Sequence, residues 1–126
     1  MMDISRKEYY SAMVERRRGF YIIHNHKLVA VVTFLIGDND ETYLLNKEPW
    51  KMVDDDPYGS TIYIDQLITD RQTHKFILRE FSKVIEKIKQ NHPLVSKVKW
   101  IRVGADFRKK GITEGVTRHV YCKNLK

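Results

Sequence analysis

The chain holds a single cysteine, Cys122, so no disulfide can close within it and a reducing cytoplasm is the expected location. No apolar run approaches the roughly 20 residues that a membrane-crossing helix needs, and no membrane partner is expected. The opening Met-Met-Asp-Ile-Ser-Arg-Lys lacks the apolar segment of a secretory signal. Internal repeats and low-complexity tracts are also missing, which leaves one globular domain over residues 1–126 as the simplest organisation. Metal-ligand spacing is missing too. Asp54-Asp55-Asp56 are consecutive, whereas a calcium loop alternates its ligands with other residues. Neither a metal nor a tightly bound cofactor is expected.

What is present suffices for a core. With 126 residues, 42% hydrophobic and 31% charged, such a chain buries roughly two-thirds of its unfolded surface. The net charge of +7 is unevenly spread. Residues 97–126 carry nine Lys or Arg against Asp106 and Glu114, a balance of +7. Residues 37–70 carry nine acids against Lys47 and Lys51, a balance of −7. If the two segments stay apart the molecule is electrically polar, and its basic part favours an acidic partner: nucleic acid, an acidic protein or a phosphorylated ligand.

Asp3 or Ser5 is placed to cap a first helix running to about Arg18, with Gly19 just past its end. Arg16, Arg17 and Arg18 then complement the helix dipole or bind an acidic partner. Phe20-Tyr21-Ile22-Ile23 and Leu28-Val29-Ala30-Val31-Val32-Thr33-Phe34-Leu35-Ile36 flank the short polar stretch His24-Asn25-His26-Lys27, the pattern of a β-hairpin. The second run does not alternate, as befits a strand covered on both faces. Residues 37–60 form an acidic, irregular connection broken by Pro49 and Pro57, with Trp50, Met52 and Tyr58 as anchors. After a strand within residues 61–70, Ile77, Phe81, Val84, Ile85 and Ile88 make one stripe of a helix that ends near Asn91 and Pro93. Two strands close the chain, one at residues 97–103 before Gly104 and one at 116–122, with Gly111 and Gly115 between them. Strand, helix and strand in succession imply parallel neighbours joined by a right-handed crossover.

Within the strand stretch Thr61-Ile62-Tyr63-Ile64-Asp65-Gln66-Leu67-Ile68-Thr69-Asp70, Asp65 is the residue a strand interior normally excludes. It lies on a solvated face or at a bulge, or it is a buried carboxylate kept for function. His24 and His26, in the hairpin turn, are the candidate imidazoles for it, or are solvent-exposed as turn histidines commonly are. His74, His92 and His119 read as structural or solvated, and Cys122 as a small hydrophobe in a strand.

An antiparallel meander followed by one strand–helix–strand crossover resembles the GNAT acyltransferase fold, an α+β fold with a mixed, mostly antiparallel sheet, an N-terminal helix and one crossover helix. The ordered landmarks Phe20-Tyr21-Ile22-Ile23, Leu28-Val29-Ala30-Val31, Tyr43-Leu44-Leu45-Asn46, Ile62-Tyr63-Ile64-Asp65 and Trp100-Ile101-Arg102-Val103 resemble, more narrowly, the toxin-activating lysine acyltransferases. That resemblance implies a GNAT-like sheet whose Asp65 and Trp100 strands splay apart around a thioester donor, and transfer of an acyl group to a lysine amine. It puts the catalytic aspartate at Asp65 and the Ile-Arg-Val strand at Ile101-Arg102-Val103. The family's catalytic histidine precedes the first helix and has no counterpart here, so His24 is the candidate replacement, and Arg102 of the Ile-Arg-Val strand is the third candidate catalytic residue. Arg71, Gln72 and Thr73 stand where GNAT enzymes place a phosphate-binding loop, but without glycine. Acyl carrier protein is therefore the preferred donor over coenzyme A.

A second function class competes with catalysis. Arg16, Arg17 and Arg18 among aromatics, together with Arg108, Lys109 and Lys110, are the ingredients of a nucleic-acid surface. On that reading the chain is a non-catalytic GNAT-like interaction or nucleic-acid-binding module of a phage or mobile element.

Overall fold

The computed structural model describes residues 6–48, 50–69, 74–103 and 118–125. Helix α1, Arg6–Glu15, buries Tyr9 and Met13, which stand four residues apart on one face. It ends earlier than its sequence suggests. The Arg18 amide donates to the Met13 carbonyl at 2.8 Å and the Arg17 amide to Val14 at 3.0 Å, the bond pair of a Schellman cap. Arg17, at φ 60°, takes the left-handed position assigned above to Gly19. Gly19 instead opens the first strand, where a Cβ would come within 3.0 Å of the Val14 side chain. Close approach is what requires glycine there.

Strands β1, Gly19–His24, and β2, Lys27–Gly37, form the expected hairpin. Its two turn residues, Asn25 and His26, both have positive φ, 51° and 63°, so their twist matches that of the strands. Residues 29–36 of β2 are all buried, as its unbroken apolar run requires. The acidic connection is not wholly irregular: it contains one helical turn, α2, Tyr43–Asn46. Trp50 and Met52 pack into the core as anchors, but Tyr58 is 78% exposed and anchors nothing.

Strand β3, Thr61–Thr69, helix α3, His74–Asn91, and strands β4, Lys97–Val103, and β5, Arg118–Asn124, complete the order. The sheet runs β1-β2-β3-β4-β5, and only β3 and β4 are parallel. The last strand thus runs past residue 122, to Asn124, and residues 116 and 117 of the expected strand lie outside the described residues. Cys122 is exposed on it rather than packed as a small hydrophobe.

Strand alternation sorts the core into two layers. Val32, Phe34, Ile36, Ile62, Ile64 and Val98 face Val84, Ile85 and Ile88 of α3. On the other side Leu35 and Tyr63 meet Tyr9 and Met13 of α1 and Leu44 of α2. The sheet is therefore covered on both faces, and every residue of the site described next lies on the α1 side.

The expected separation of charge is partly cancelled. Arg16 pairs with Asp54 at 2.9 Å, Arg18 with Asp55 at 2.7 Å, and the buried Lys99 of β4 with Glu41 at 3.1 Å. Cations from both sides neutralise the acidic connection and bind it to the sheet.

Candidate functional site

The β3–β4 ladder runs only over four rungs, from Thr61 opposite Lys97 to Ile64 opposite Trp100. Beyond it β3 continues to Thr69 beside β2, and β4 continues to Val103 beside β5. The two central strands fork, and the first β3 residue past the fork is Asp65.

Asp65 is also out of step with β2. Thr33 pairs with Gln66 and Phe34 with Ile64, which leaves Asp65 as the extra residue of a bulge. Two residues past Tyr63, its carboxylate keeps to the α1 side. One oxygen, Oδ2, accepts the Thr33 hydroxyl at 3.0 Å and the Tyr9 hydroxyl. The other, Oδ1, lies 3.0 Å from Lys47 Nζ, and the two side chains are only 4% and 7% exposed. Lys47 in turn donates to the carbonyls of Glu48 at 3.1 Å and Lys51 at 3.2 Å. The ammonium thus has three oxygens within 3.2 Å, two of them hydrogen-bond acceptors and the third its counter-ion. Its Nζ also stands 5.7 Å from the centre of the Tyr9 ring, within cation–π range. Four segments therefore meet at one carboxylate: α1, β2, the chain just after α2, and β3.

The phenols around this centre stay protonated. Burial first, then the hydrogen bond and charge of Asp65, push Tyr9 far above its ordinary value of 10.0. Burial raises Tyr43 and Tyr63 as well. A phenol whose folded value is raised contributes stability below its unfolded value, and that contribution is lost as pH climbs above it. Stability is thus expected to fall steeply above about pH 10. Urea titrations at pH 8 and above should show a shallower alkaline loss in Tyr9→Phe, and equal slopes would contradict the Asp65–Tyr9 linkage.

The two ordinary readings of Asp65, solvated face and bulge, part here: it occupies a bulge, yet it is buried. His24 is not brought to it. His24 pairs with Lys27, six residues along β2 from Thr33, roughly 20 Å at strand rise. The backbone of Arg102 lies on β4, two residues past Trp100 and opposite His119 of β5. Arg16 and Arg18 are engaged by Asp54 and Asp55, and Arg17 caps α1. His92 Nδ1 sits 3.3 Å from the Pro57 carbonyl oxygen. Arg71, Gln72, Thr73, Arg108, Lys109 and Lys110 lie outside the described residues. Among the described residues no trio of His, Cys, Asp or Glu is placed to hold a metal, and no helix is long and apolar enough to cross a membrane.

Sequence reasoning missed Tyr9, Thr33 and Lys47. Tyr9 carries a signal in its four-residue spacing from Met13. Lys47 carries one as a rare cation in an acidic stretch. Neither signal points to Asp65 without the fold.

No protein-family model matches the chain, and no curated protein does. Solved structures do match. A GNAT-like decarboxylase, GphF, in complex with isobutyryl-CoA superimposes with a TM-score of 0.52 at 19% identity, over 88% of this chain and 60% of its own. The N-acetylglutamate synthase of Neisseria gonorrhoeae, complexed with coenzyme A and N-acetyl-glutamate, gives a TM-score of 0.54 at 12% identity, over 100% of this chain and 29% of its own. The chain therefore spans less than two-thirds of either protein. The likeness shows a GNAT-like fold, as the element order led us to expect. It does not extend to the narrower toxin-activating family, and fold alone does not fix a reaction.

Proposed function

We propose that this GNAT-like chain binds a pantetheine thioester in the fork between β3 and β4 and transfers the acyl group to a primary amine beside Asp65. The observation that carries the reading is the end of the ladder at Ile64 and Trp100, one residue before the buried carboxylate. Past that rung the facing strand edges carry backbone N–H and C=O groups with no strand partner across the gap. Groups of that kind seek other partners, and a pantetheine arm supplies amides that can run between them. Coenzyme A and acyl carrier protein share that arm. The coenzyme A ligands named for both solved neighbours support coenzyme A as the first donor to try. The sequence resemblance adds acyl carrier protein as the alternative and a lysine side chain as the acceptor.

In the reaction the amine nitrogen adds to the thioester carbonyl carbon, the C–S bond breaks, the thiol departs and the nitrogen gives up a proton. A carboxylate offers about four acceptor positions, and Asp65 uses three, for Tyr9, Thr33 and Lys47. The fourth is left to orient the attacking N–H. Backbone N–H groups along the open strand edges are the donors available to the developing oxyanion.

Asp65→Asn tests the assignment. Acyl transfer from acetyl-CoA to a lysine peptide should fall by about a hundredfold or more, while coenzyme A binding, read by calorimetry, stays close to that of the wild type. Unchanged transfer would remove Asp65 from the site. If the wild-type chain binds neither coenzyme A nor acetyl-CoA, the non-catalytic interaction reading replaces this one.

A further inference from the structure

A second site stands apart from Asp65. We propose that the cavity beneath the acidic connection binds a small carboxylate with a short apolar body. The cavity measures about 200 Å3 and is lined by Met13, Arg16, Arg18, Leu35, Val53 and Asp55. Met13 is one helical turn beyond Tyr9, and Leu35 is two residues beyond Thr33. The cavity therefore shares α1 and β2 with the Asp65 centre but lies farther along both.

Its chemistry is divided. Met13, Leu35 and Val53 give it an apolar part, whereas Arg16, Arg18 and Asp55 give it a charged one. Asp55 has little left to offer a ligand. It accepts Arg18 Nε at 2.7 Å, Arg18 Nη2 at 3.2 Å and the Ile36 amide at 2.8 Å, three of about four acceptor positions. Arg18 has donors to spare. A guanidinium carries five N–H bonds, and two bonds to Asp55 plus one to the Arg17 carbonyl at 3.2 Å leave two without a partner among the described residues. Arg18 is held in place, being only 13% exposed and bound to Asp55 by two of its nitrogens. Arg16 brings a second guanidinium whose counter-ion, Asp54, is 99% exposed and therefore well screened by water. The site is rich in donors and poor in acceptors. It suits an anion, and a guanidinium fork matches a carboxylate edge. The volume is below the 300 Å3 or so at which drug-sized ligand sites begin, which limits the apolar body to a few carbons.

Butyrate is the probe, followed by NMR of the 13C-labelled Met13 methyl group, with Met52 as an internal reference. Saturable shifts at Met13 are expected for butyrate, and neither butylamine nor inorganic phosphate should reproduce them. Arg16→Gln removes only an exposed pair, so the chain stays folded, and it should weaken butyrate about fivefold or more. Val53→Phe fills the cavity and should abolish the shifts while circular dichroism stays native. The proposal is overturned if butyrate does not saturate by roughly 100 mM, if phosphate matches it, or if both variants bind as the wild type does. None of these readouts depends on acyl transfer, so this site and the Asp65 reading stand or fall separately.

Discussion

Lys47→Met is expected to lower stability by about 3–5 kcal/mol, the cost of breaking a buried ion pair by removing one partner. Methionine keeps much of the side-chain length and none of the donors. It would leave the Asp65 carboxylate without its cation, and the Glu48 and Lys51 carbonyls without the Nζ that now serves both. Replacing both members of the pair should be milder than the sum of the single changes. Asp65→Asn in the Lys47→Met background removes the uncompensated charge and leaves an amide that still meets Thr33 and Tyr9. Urea denaturation of the two single variants and the double variant closes the cycle. A loss under about 1 kcal/mol for Lys47→Met would mean that water already shields the pair as it does at a surface.

Gly59→Ala should cost about 3 kcal/mol, the upper end of what overpacking usually does. A Cβ at Gly59 would stand 2.4 Å from both the carbonyl carbon and oxygen of Gly37 and 2.6 Å from its Cα. These are backbone atoms, and no side chain can swing aside. Any relief must move the chain where it matters. The Gly59 amide bonds the Asp56 carbonyl at 3.0 Å, and the next carbonyl, that of Ser60, takes the Ser96 amide at 2.8 Å at the entry to β4. Gly37→Ala is the control. Its Cβ would meet only the Tyr63 ring at 3.5 Å, an ordinary contact, so its melting temperature should stay much closer to that of the wild type. Equal melting temperatures for the two alanine variants would refute the contact argument.

The elements that were legible in the sequence share a cause. The hairpin, the buried β2 and the α3 stripe each depend on neighbours within one turn or one strand, so periodicity and turn residues report them. The α1 cap departs from its sequence pattern: an αL position usually attracts glycine, yet Arg17 takes it while Gly19 answers a packing demand from Val14. The site was half legible. A carboxylate in an apolar strand marked Asp65, but its partners come from positions 9, 33 and 47, and nothing local connects them. Residues 24 and 65 belong to one meander, on β1 and β3 with β2 between them. Register, which the sequence of one strand does not contain, places them at different heights of the sheet.

That register carries one more implication. On β3, Tyr63 and Asp65 face α1 by simple alternation, but Gln66 sits opposite Thr33, whose own side chain meets Asp65 on that same face. The strand therefore changes parity at a single residue: odd positions point to α1 up to Asp65, even positions after it. Every odd-to-even comparison across residue 65 is inverted. Deleting Asp65 would do more than remove an acid. It would straighten the ladder and leave Gln66 as the sole polar side chain opposite Thr33, with Leu67 and Ile68 keeping the faces they have now. Inserting a residue anywhere between Gln66 and Thr69 would instead exchange the faces of those that follow it. The length of this strand, counted in whole residues, is thus as strict a requirement as the identity of its acid.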